Sequence, residues 1–279
     1  MRRGKITITL REDLLKRVDE IIDGKQIRNR SHAIEYLLTQ SLIPKVRTAF
    51  ILAGGKGMKM KPLTEELPKP LLPIQGKPIL EHQVELLRNH DIRDIFVLVG
   101  YLGEKIKYHL GDGGKFGVKI TYIEQNQKEI GTAYSLALAK PFLSGNPFLM
   151  SYGDVLADMN LKDFIDHHIA SHSIATVALT SIKYPSFYGV AKLRGEKIVD
   201  FIEKPKEKEE LSRVISAGIF CFEPKIFDYL SSKTELALEK DIFPQLAKEG
   251  KLDGYLFEGK WFDIGTPEIY ARAIKEWKK

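Results

Sequence analysis

The stretch TAFILAGGKGMKMKPLT, Thr48 to Thr64, joins an apolar strand directly to a loop of closely spaced glycines and lysines. Small residues at the end of a strand let backbone N–H groups approach an anion, so this junction predicts a phosphate-binding loop. Two familiar loops are excluded, because the pattern GxxxxGK[ST] is absent and the dinucleotide pattern GxGxxG would need glycine where Met60 stands. By itself, a short glycine-rich segment is as typical of a structural turn as of a ligand site.

Beyond this loop, apolar runs alternate with helical patterns. The runs predict strands, among them DIFVLVG (94–100), VKITYI (118–123) and ATVALTSI (175–182). The helical patterns include PILEHQVELLRNHD (78–91) and GTAYSLALAK (131–140). This alternation predicts an α/β fold with a doubly wound, mostly parallel, Rossmann-like sheet, whose ligands lie at the carboxyl ends of the strands.

Length and composition set the broad class of protein. A chain of 279 residues with a hydrophobic fraction of 43% allows one large buried core together with a smaller appendage. No apolar run approaches about 18 residues and the first ten residues carry no apolar leader, so we expect no membrane span, no signal peptide and a cytoplasmic protein. The single cysteine, Cys221, lies in the apolar run AGIFCFEP, which excludes an internal disulfide and predicts a buried strand residue.

The net charge of +6 is unevenly distributed. Residues 1–46 contain ten Lys or Arg and six Asp or Glu, so most of the basic excess lies in this short segment. Such asymmetry indicates an appendage that faces nucleic acid, although a solvated basic segment would have the same composition.

Residues 1–44 combine a short alternating stretch with two helical patterns. KITITL (5–10) has period two, and a helical stripe of apolar residues follows from Glu12. The second helical pattern, NRSHAIEYLLTQSL (29–42), begins with Ser31 as the expected N-cap. A β-α-α unit of this size is too small to bury its own apolar faces, so we expect it to need a partner, for which a second copy is the natural choice.

This segment resembles the ribbon-helix-helix family of DNA-binding proteins, including the outward polar residues of the strand and the RSxAI start of the second helix. In that family two chains pair their N-terminal strands, the ribbon enters the major groove and the second helix holds a backbone phosphate. The resemblance implies a homodimer with these DNA contacts: Lys5, Thr7 and Thr9 to bases, and Asn29, Arg30 and Ser31 to a phosphate. Alternatively the unit only dimerises the chain, because Lys and Thr are also ordinary edge-strand residues.

Further segments follow the glycine loop in a fixed order. PKPLLPIQGKPIL (68–80) places Lys69 between two prolines, which fix the backbone around it. Later segments are IGTAYSLALA (130–139), YGDVLAD (152–158), FYGVAKL (187–193), FIEKP (201–205), SAGIFCFEP (216–224) and WFDIGTPEIY (261–270). Together with the loop they resemble the sugar-phosphate nucleotidyltransferases, the nucleoside-diphosphate-sugar pyrophosphorylases, over residues 47–270. We therefore expect a nucleotidyltransferase domain over residues 47–279.

The resemblance implies that a sugar 1-phosphate oxygen attacks the α-phosphate of a nucleoside triphosphate, giving an NDP-sugar and pyrophosphate. This reaction needs alignment and charge neutralisation. The nucleotide-binding residues carried over are Leu52, Ala53, Gly54 and Gly55 around the nucleotide, Gly57 and Lys59 on its phosphates, and Gly131 beside the base. Gln125 is the expected partner for the edge of the base, and Gln127 is the alternative because the spacing to Gly131 differs from that of the thymidylyl and uridylyl members.

The catalytic and acceptor residues are carried over in the same way. Lys69 is expected to neutralise charge near the α-phosphate, and Asp154 and Asp263 are expected to hold Mg²⁺ between them. Carboxylate and phosphate oxygens are the ligands that this hard cation prefers. The acceptor side consists of Glu203 for sugar hydroxyls, Lys204 for the sugar phosphate, and Gly189 and Gly218 as room for the ring.

The loop departs from the usual family pattern GxGTRLxPLT at two positions. Met58 stands in place of Thr and Lys59 in place of Arg, and Lys lacks the two-pronged fork that Arg offers a phosphate. We expect the lost contacts to cost about 1 to 3 kcal/mol of binding free energy, and turnover to be roughly tenfold to a hundredfold slower as a result.

The sequence supports two hypotheses about function, and under either one the base and the sugar stay open. One is an active transferase; the other is a DNA-binding regulator whose degenerate transferase domain senses a nucleotide or nucleotide sugar. The retained charged residues, Asp154, Asp263, Lys69 and Lys204, favour the transferase.

Overall fold

The computed structural model describes residues 6–42, 46–126, 131–206, 212–230 and 235–277. The chain divides into two compact units, Met1–Pro44 and Lys45–Lys279. In the described residues no helix is long and apolar enough to cross a membrane.

The first unit contains two helices, α1 (Glu12–Glu20) and α2 (Arg30–Leu42). The predicted N-cap Ser31 is wrong, because α2 already begins at Arg30 and the Oδ1 atom of Asn29 accepts a hydrogen bond from the His32 N–H at 2.9 Å. Residues 6–10, the described part of the predicted strand, form no strand in this single chain. A strand is defined by its pairing, and the expected pairing partner belongs to a second chain. Lys5 lies outside the described residues.

Little of the apolar surface of this unit is covered by its own core. Among its described side chains, Val18 and Ala33 are the buried hydrophobic ones. Large apolar side chains stay exposed at Ile6, Ile8, Leu14, Tyr36, Leu37 and Leu38. The predicted need for a partner is consistent with this distribution.

The second unit alternates strands and helices. Its helices are α3 (Ile79–Asn89), α4 (Gly103–Leu110), α5 (Thr132–Leu138), α6 (Lys140–Leu143), α7 (Leu161–Ser171), α8 (Phe243–Lys248) and α9 (Pro267–Glu276). Its strands are β1 (Thr48–Leu52), β2 (Pro73–Ile74), β3 (Lys77–Pro78), β4 (Asp94–Val99), β5 (Lys119–Glu124), β6 (Phe148–Tyr152), β7 (Val155–Ala157), β8 (Ala175–Ser181), β9 (Gly189–Arg194), β10 (Lys197–Glu203), β11 (Val214–Phe222), β12 (Leu252–Leu256) and β13 (Trp261–Asp263).

The main sheet has the order β5-β4-β1-β6-β11-β8-β12-β10-β9. Strands β5, β4, β1 and β6 are parallel, whereas β11 is antiparallel to both β6 and β8. A further pairing of β9 with β11 closes the second half of the sheet. The α/β class agrees with the prediction, but the mostly parallel arrangement holds only for the first half. Short connections such as the two residues between β9 and β10 allow only antiparallel neighbours.

Apolar side chains cover both faces of this sheet. Along β1, Phe50 belongs to one core cluster and Ile51 to the other, as the alternation of a strand requires. A third cluster joins Met60 of the glycine loop, Phe262 of β13 and Trp277. It fixes the loop to the last helix. Cys221 is buried in β11 as predicted, and burial raises the pKa of its thiol.

Candidate active site

Where β1 leads into the glycine loop, the backbone of the loop packs against the backbone at the end of β4. The Ala53 N–H donates to the Leu98 carbonyl at 2.9 Å, and the Tyr101 N–H donates to the Gly54 carbonyl at 3.2 Å. A Cβ atom on Gly100 would lie 2.8 Å from the Gly54 oxygen, so the end of β4 can approach only because that position is glycine. A Cβ atom on Gly55 would meet nothing within 4 Å beyond its chain neighbours, so the loop opens there.

Gly57 reverses the direction of the loop. Its φ of +60° lies in the left-handed region, and its carbonyl accepts hydrogen bonds from the Thr64 hydroxyl and the Met60 N–H, both at 2.8 Å. A short 3₁₀ turn, Met58–Met60, follows and buries Met60 while Met58 remains 61% exposed.

Two aspartates meet through the pairing of β7 with β13. In this antiparallel ladder Asp263 lies opposite Val155, the residue after Asp154. The Ile264 N–H donates to the Asp154 carbonyl at 2.9 Å, and the Gly153 N–H donates to the Leu52 carbonyl at 2.9 Å. Asp154 is thereby held beside both the glycine loop and Asp263.

Lys69 forms an ion pair with Asp154. Its ammonium group contacts the Asp154 carboxylate, and the two side chains are only 17% and 20% exposed. Burial acts to lower the pKa of Lys69, but the charges of Asp154 and Asp263 outweigh it and raise that pKa. Burial and the nearby Asp154 charge raise the pKa of Asp263 to about 7.

The acceptor side is built at the end of β10. Lys204 has a φ of +49°, its N–H donates to the Tyr188 carbonyl at 3.0 Å, and its ammonium lies 3.0 Å from the Glu203 carboxylate. A Cβ on Gly189 would lie 2.4 Å from the Phe201 ring and 3.0 Å from Glu203 Oε2. Glycine at this position therefore leaves room for both side chains.

Two adjoining cavities contain all of the predicted residues of this unit. The first, of about 850 Å³, is lined by predicted nucleotide residues, namely Leu52, Ala53, Gly54, Gly55, Gly57, Gln125 and Gly131. The second, of about 600 Å³, is lined by predicted acceptor residues, namely Gly189, Glu203, Lys204 and Gly218. We call them the nucleotide cavity and the acceptor cavity. Both are lined by Gly57, Lys69, Tyr152, Asp154, Glu203, Lys204, Glu239 and Asp263, which we call the shared wall.

The lysines of the loop line different cavities. Lys59, expected on the nucleotide phosphates, lines the acceptor cavity, whereas Lys56 lines the nucleotide cavity. Lys61 lies 3.6 Å from the Glu65 carboxylate and is half exposed. The left-handed residue Gly57 and the 3₁₀ turn after it rotate Lys59 away from Lys56, which sequence spacing alone does not reveal.

Sequence reasoning missed Glu239 in the shared wall. Its carboxylate accepts hydrogen bonds from the Thr132 hydroxyl at 2.8 Å and from the Tyr152 hydroxyl, and burial raises its pKa. The segment LALEKDIFP around it has no spacing that sets it apart from an ordinary helix start. Gln125 lies beside Gly54 in the nucleotide cavity, and its alternative, Gln127, is outside the described residues.

Comparison with known proteins gives the family. The model of the nucleotidyl transferase family matches residues 48–279, and the chain belongs to this family. A UTP–glucose-1-phosphate uridylyltransferase from Synechocystis sp. is 36% identical over 242 residues, which cover 81% of this chain and 62% of that protein. A mannose-1-phosphate guanylyltransferase catalytic subunit beta from Danio rerio is 35% identical over 231 residues, covering 81% of this chain and 63% of that protein. The chain thus spans less than two thirds of the length of these curated relatives.

The solved structures agree with this family. A Bacillus anthracis protein assigned as a glucose-1-phosphate thymidylyltransferase, crystallised with sucrose, matches with a TM-score of 0.76 at 31% identity. The match covers 83% of this chain and 97% of that one.

Proposed function

We propose that the protein transfers a nucleotidyl group from a nucleoside triphosphate to a sugar 1-phosphate, forming an NDP-sugar and pyrophosphate. The observation that carries this proposal is the shared wall, where Lys69, Asp154 and Asp263 lie between a nucleotide cavity and an acceptor cavity. The relatives named above are transferases that act on sugar 1-phosphates, which supports the same reaction class.

In the proposed reaction an oxygen of the acceptor phosphate attacks the α-phosphorus. The bond from the α-phosphorus to the bridging β-phosphate oxygen breaks, and pyrophosphate leaves with that electron pair. The attacking phosphate oxygen is already ionised, so no side chain has to remove a proton from it. The chain has to align two anions and neutralise their charge. Lys69 and Lys204 supply positive charge in the shared wall, and its four acidic side chains outnumber them, so a bound cation has to supply the rest.

Three basic residues then receive roles. Lys56 and the open backbone at Gly55 line the nucleotide cavity and would hold the triphosphate. Lys204 lines both cavities beside the predicted acceptor residue Glu203 and would hold the acceptor phosphate. Lys69 lines both cavities and is the group placed to neutralise the α-phosphate between them. Because its pKa is raised, Lys69 stays protonated at neutral pH.

The carboxylates of the shared wall fit a magnesium ion. Asp154 is close enough to Asp263 for its charge to raise the pKa of Asp263, and one or two carboxylates with substrate phosphates are the usual Mg²⁺ ligands. We propose that Asp154 and Asp263 hold this ion. When bound, Mg²⁺ neutralises charge on the triphosphate and on the leaving pyrophosphate.

The test is pyrophosphate release with Mg²⁺ across a panel of triphosphates and sugar 1-phosphates. The panel should pair ATP, GTP, CTP, UTP and TTP with the 1-phosphates of glucose, galactose, mannose and N-acetylglucosamine. We expect one pair to exceed the others by at least tenfold, and omission of either substrate to abolish release. Absence of release from every pair would overturn the proposed reaction.

We further propose that the first unit pairs two chains and binds double-stranded DNA. The exposed apolar side chains at Ile6 and Ile8 alternate with the exposed polar residues Thr7 and Thr9, as in a strand that pairs with a second copy. Asn29 caps α2, and the Arg30 guanidinium donates two hydrogen bonds of 2.7 Å to the Asp19 carboxylate. Arg30 thus stabilises the helix pair, and a phosphate contact would use the backbone at this helix start.

This second proposal needs its own test. Light scattering should give a dimer or larger assembly for the full chain and a smaller species after deletion of residues 1–44. DNA binding, measured against genomic fragments at several salt concentrations, should weaken steeply with salt and disappear with the deletion. If the truncated protein kept the same DNA affinity, the first unit would not be the DNA-binding element.

A sensor function is the second candidate. Met58 and Lys59 stand where the usual family pattern has Thr and Arg, and Lys59 lines the acceptor cavity, so the loop offers a triphosphate fewer side-chain donors. The sensor predicts nucleotide-sugar binding without turnover, together with DNA affinity that changes when the nucleotide sugar is added.

A further inference from the structure

The side chain of Gln83 bridges the two ends of the turn that carries Asp154. Gln83 is buried on α3, and its amide nitrogen donates to the Tyr152 carbonyl at 2.8 Å and to the Val155 carbonyl at 2.6 Å. The two acceptors flank Gly153 and Asp154. We infer that Gln83 is a positioning residue that sets the place of Asp154 in the shared wall.

The amide is oriented by its surroundings. The Ser151 hydroxyl lies 3.3 Å from Gln83 Oε1 as a donor, which directs the amide nitrogen toward the turn. Both N–H groups of that nitrogen are then engaged, one at each end of the turn. The other bonds that hold the turn, from Gly153 to Leu52 and from Ile264 to Asp154, belong to the backbone and are independent of side-chain identity.

Gln83 also couples Asp154 to Lys69. Helix α3 follows the Lys69–Leu71 turn, and the Ile79 N–H at its start donates to the Leu72 carbonyl at 3.1 Å. One continuous segment, residues 69–89, therefore holds the ammonium group and, through Gln83, the carboxylate that it contacts. This arrangement fixes the two groups relative to each other.

The surroundings of Gln83 offer few other hydrogen-bond donors to the carbonyl groups of the turn if the amide is lost. A small cavity of about 30 Å³ beside it is lined by apolar side chains, among them Leu86, Leu87, Met150 and Ile219. Carbonyl groups that lose their donor in such surroundings are left unsatisfied, which destabilises the present position of the turn. A displacement of about 1 Å in a catalytic group can lower a rate by about a hundredfold.

The test compares Gln83→Met with Leu87→Ala. Methionine keeps most of the volume of Gln83 but cannot donate, whereas Leu87 lies one turn further along the same face of α3 and has no hydrogen bond to the turn. The inference rests on the proposed transferase reaction, so wild-type turnover is measured first. We expect Gln83→Met to lower kcat at least tenfold while each KM stays within threefold, and Leu87→Ala to keep kcat within threefold despite a lower Tm.

A second measurement does not depend on turnover. Mn²⁺ alone is titrated into each protein and followed by water-proton relaxation, which reports binding at the Asp154 and Asp263 carboxylates. We expect an affinity at least fivefold weaker for Gln83→Met and an unchanged affinity for Leu87→Ala. If the wild type shows no turnover, the proposed reaction fails, and the Mn²⁺ titration alone decides the inference. Equal kcat and equal Mn²⁺ affinity in Gln83→Met and wild type, or equal losses in both variants, would overturn it.

Discussion

The ammonium group of Lys69 contacts the carboxylate of Asp154 between the nucleotide cavity and the acceptor cavity. Both side chains are largely buried, and Asp263 adds a second carboxylate to the same wall. A reaction between two phosphates brings further negative charge to this wall, and the ammonium group of Lys69 is placed to offset part of it. The fold therefore brings together three distant chain segments, which carry Lys69, Asp154 and Asp263, at the place where the proposed reaction occurs.

Replacing Lys69 by methionine should lower kcat by at least a hundredfold. The variant loses the charge that faces both phosphates, and losses of this size are typical when a group that stabilises the transition state is removed. The matched control is Lys61→Met, since Lys61 belongs to the same stretch but is half exposed and pairs with Glu65. Its kcat should stay within twofold. Steady-state kinetics on the best substrate pair measure both, and a kcat within threefold of wild type for Lys69→Met would contradict the assigned role.

The raised pKa of Asp263 predicts a pH-dependent stability. Its pKa is 3.8 ordinarily and about 7 in the folded protein, so the folded state holds this proton more tightly than the unfolded chain. Ionisation between these values destabilises the fold, so the contribution of Asp263 to the free energy of unfolding should fall as pH rises from about 4 to about 7, by up to roughly 4 kcal/mol, then level off.

Denaturant unfolding without divalent cations at a series of pH values tests this prediction. Asp263→Asn should remove most of the decline, so that the variant becomes more stable than the wild type near pH 7 and not near pH 4. Asp228→Asn, at an exposed position, is the control and should keep the wild-type profile. If the free energy of unfolding changed with pH in the same way in the wild type and in Asp263→Asn, the Asp263 carboxyl group would not be the source of the pH dependence.

The predicted residues line the two cavities because they lie at strand ends in short local motifs. Gly54 and Gly55 follow β1 and Asp154 follows the parallel strand β6, so the topology of an α/β sheet brings these motifs to one edge. Glu203 ends β10, which runs opposite to β6, and it reaches the cavities through the pairing of β9 with β10 and β11. Apolar runs revealed the strands themselves. They could not reveal the antiparallel direction of β11, since direction depends on connections rather than on composition.

Contacts between distant segments were not predictable from the sequence. Glu239 reaches the shared wall from a turn that is remote in sequence from its partner Tyr152. Gln83 reads as one more polar residue of a helix, although it is buried against the turn of Asp154. In the loop, spacing placed Lys59 on the nucleotide, but the backbone conformation at Gly57 decides where it lies.

Lys59→Arg should leave activity equal to or up to tenfold above that of the wild type. Lys59 lines the acceptor cavity, and its charge acts to lower the pKa of Asp263, so an arginine would retain the charge and add a two-pronged donor. Lys61→Arg makes the same exchange two residues away, at an exposed ion pair, and should change nothing. A loss of tenfold or more in Lys59→Arg would indicate a loop rebuilt around lysine.

Glu239→Gln should lower kcat/KM by about tenfold. One carboxylate oxygen accepts a hydrogen bond from the Thr132 hydroxyl and the other accepts one from the Tyr152 hydroxyl. An amide replaces one of these acceptors by an N–H donor, so one of the two bonds is lost. Glu235→Gln, at an exposed position in the same segment, should keep the wild-type value. Measuring KM for both substrates will show which cavity depends more on Glu239. Wild-type values for both substrates would exclude a role in either.

Gly218→Ala should close part of the acceptor cavity and destabilise the fold. Gly218 has a φ of +72°, and a Cβ atom there would lie 2.9 Å from the Tyr152 ring and 3.1 Å from Val155 Cγ2. The new methyl group therefore pushes on the residues that flank the Asp154 turn. We expect a higher KM for the sugar 1-phosphate, by at least tenfold, with less change in the KM for the triphosphate.

Gly195→Ala separates this clash from backbone strain. Gly195 has a φ of +62°, close to that of Gly218, but a Cβ atom there would meet nothing within 4 Å beyond its chain neighbours. Both variants incur the strain of a left-handed alanine, about 1 kcal/mol, and only Gly218→Ala adds the collision with Tyr152. Thermal unfolding should show a larger fall in Tm for Gly218→Ala, and only this variant should lose affinity for the acceptor. Equal Tm shifts and an unchanged acceptor KM in both would show that the acceptor cavity adjusts to the methyl group.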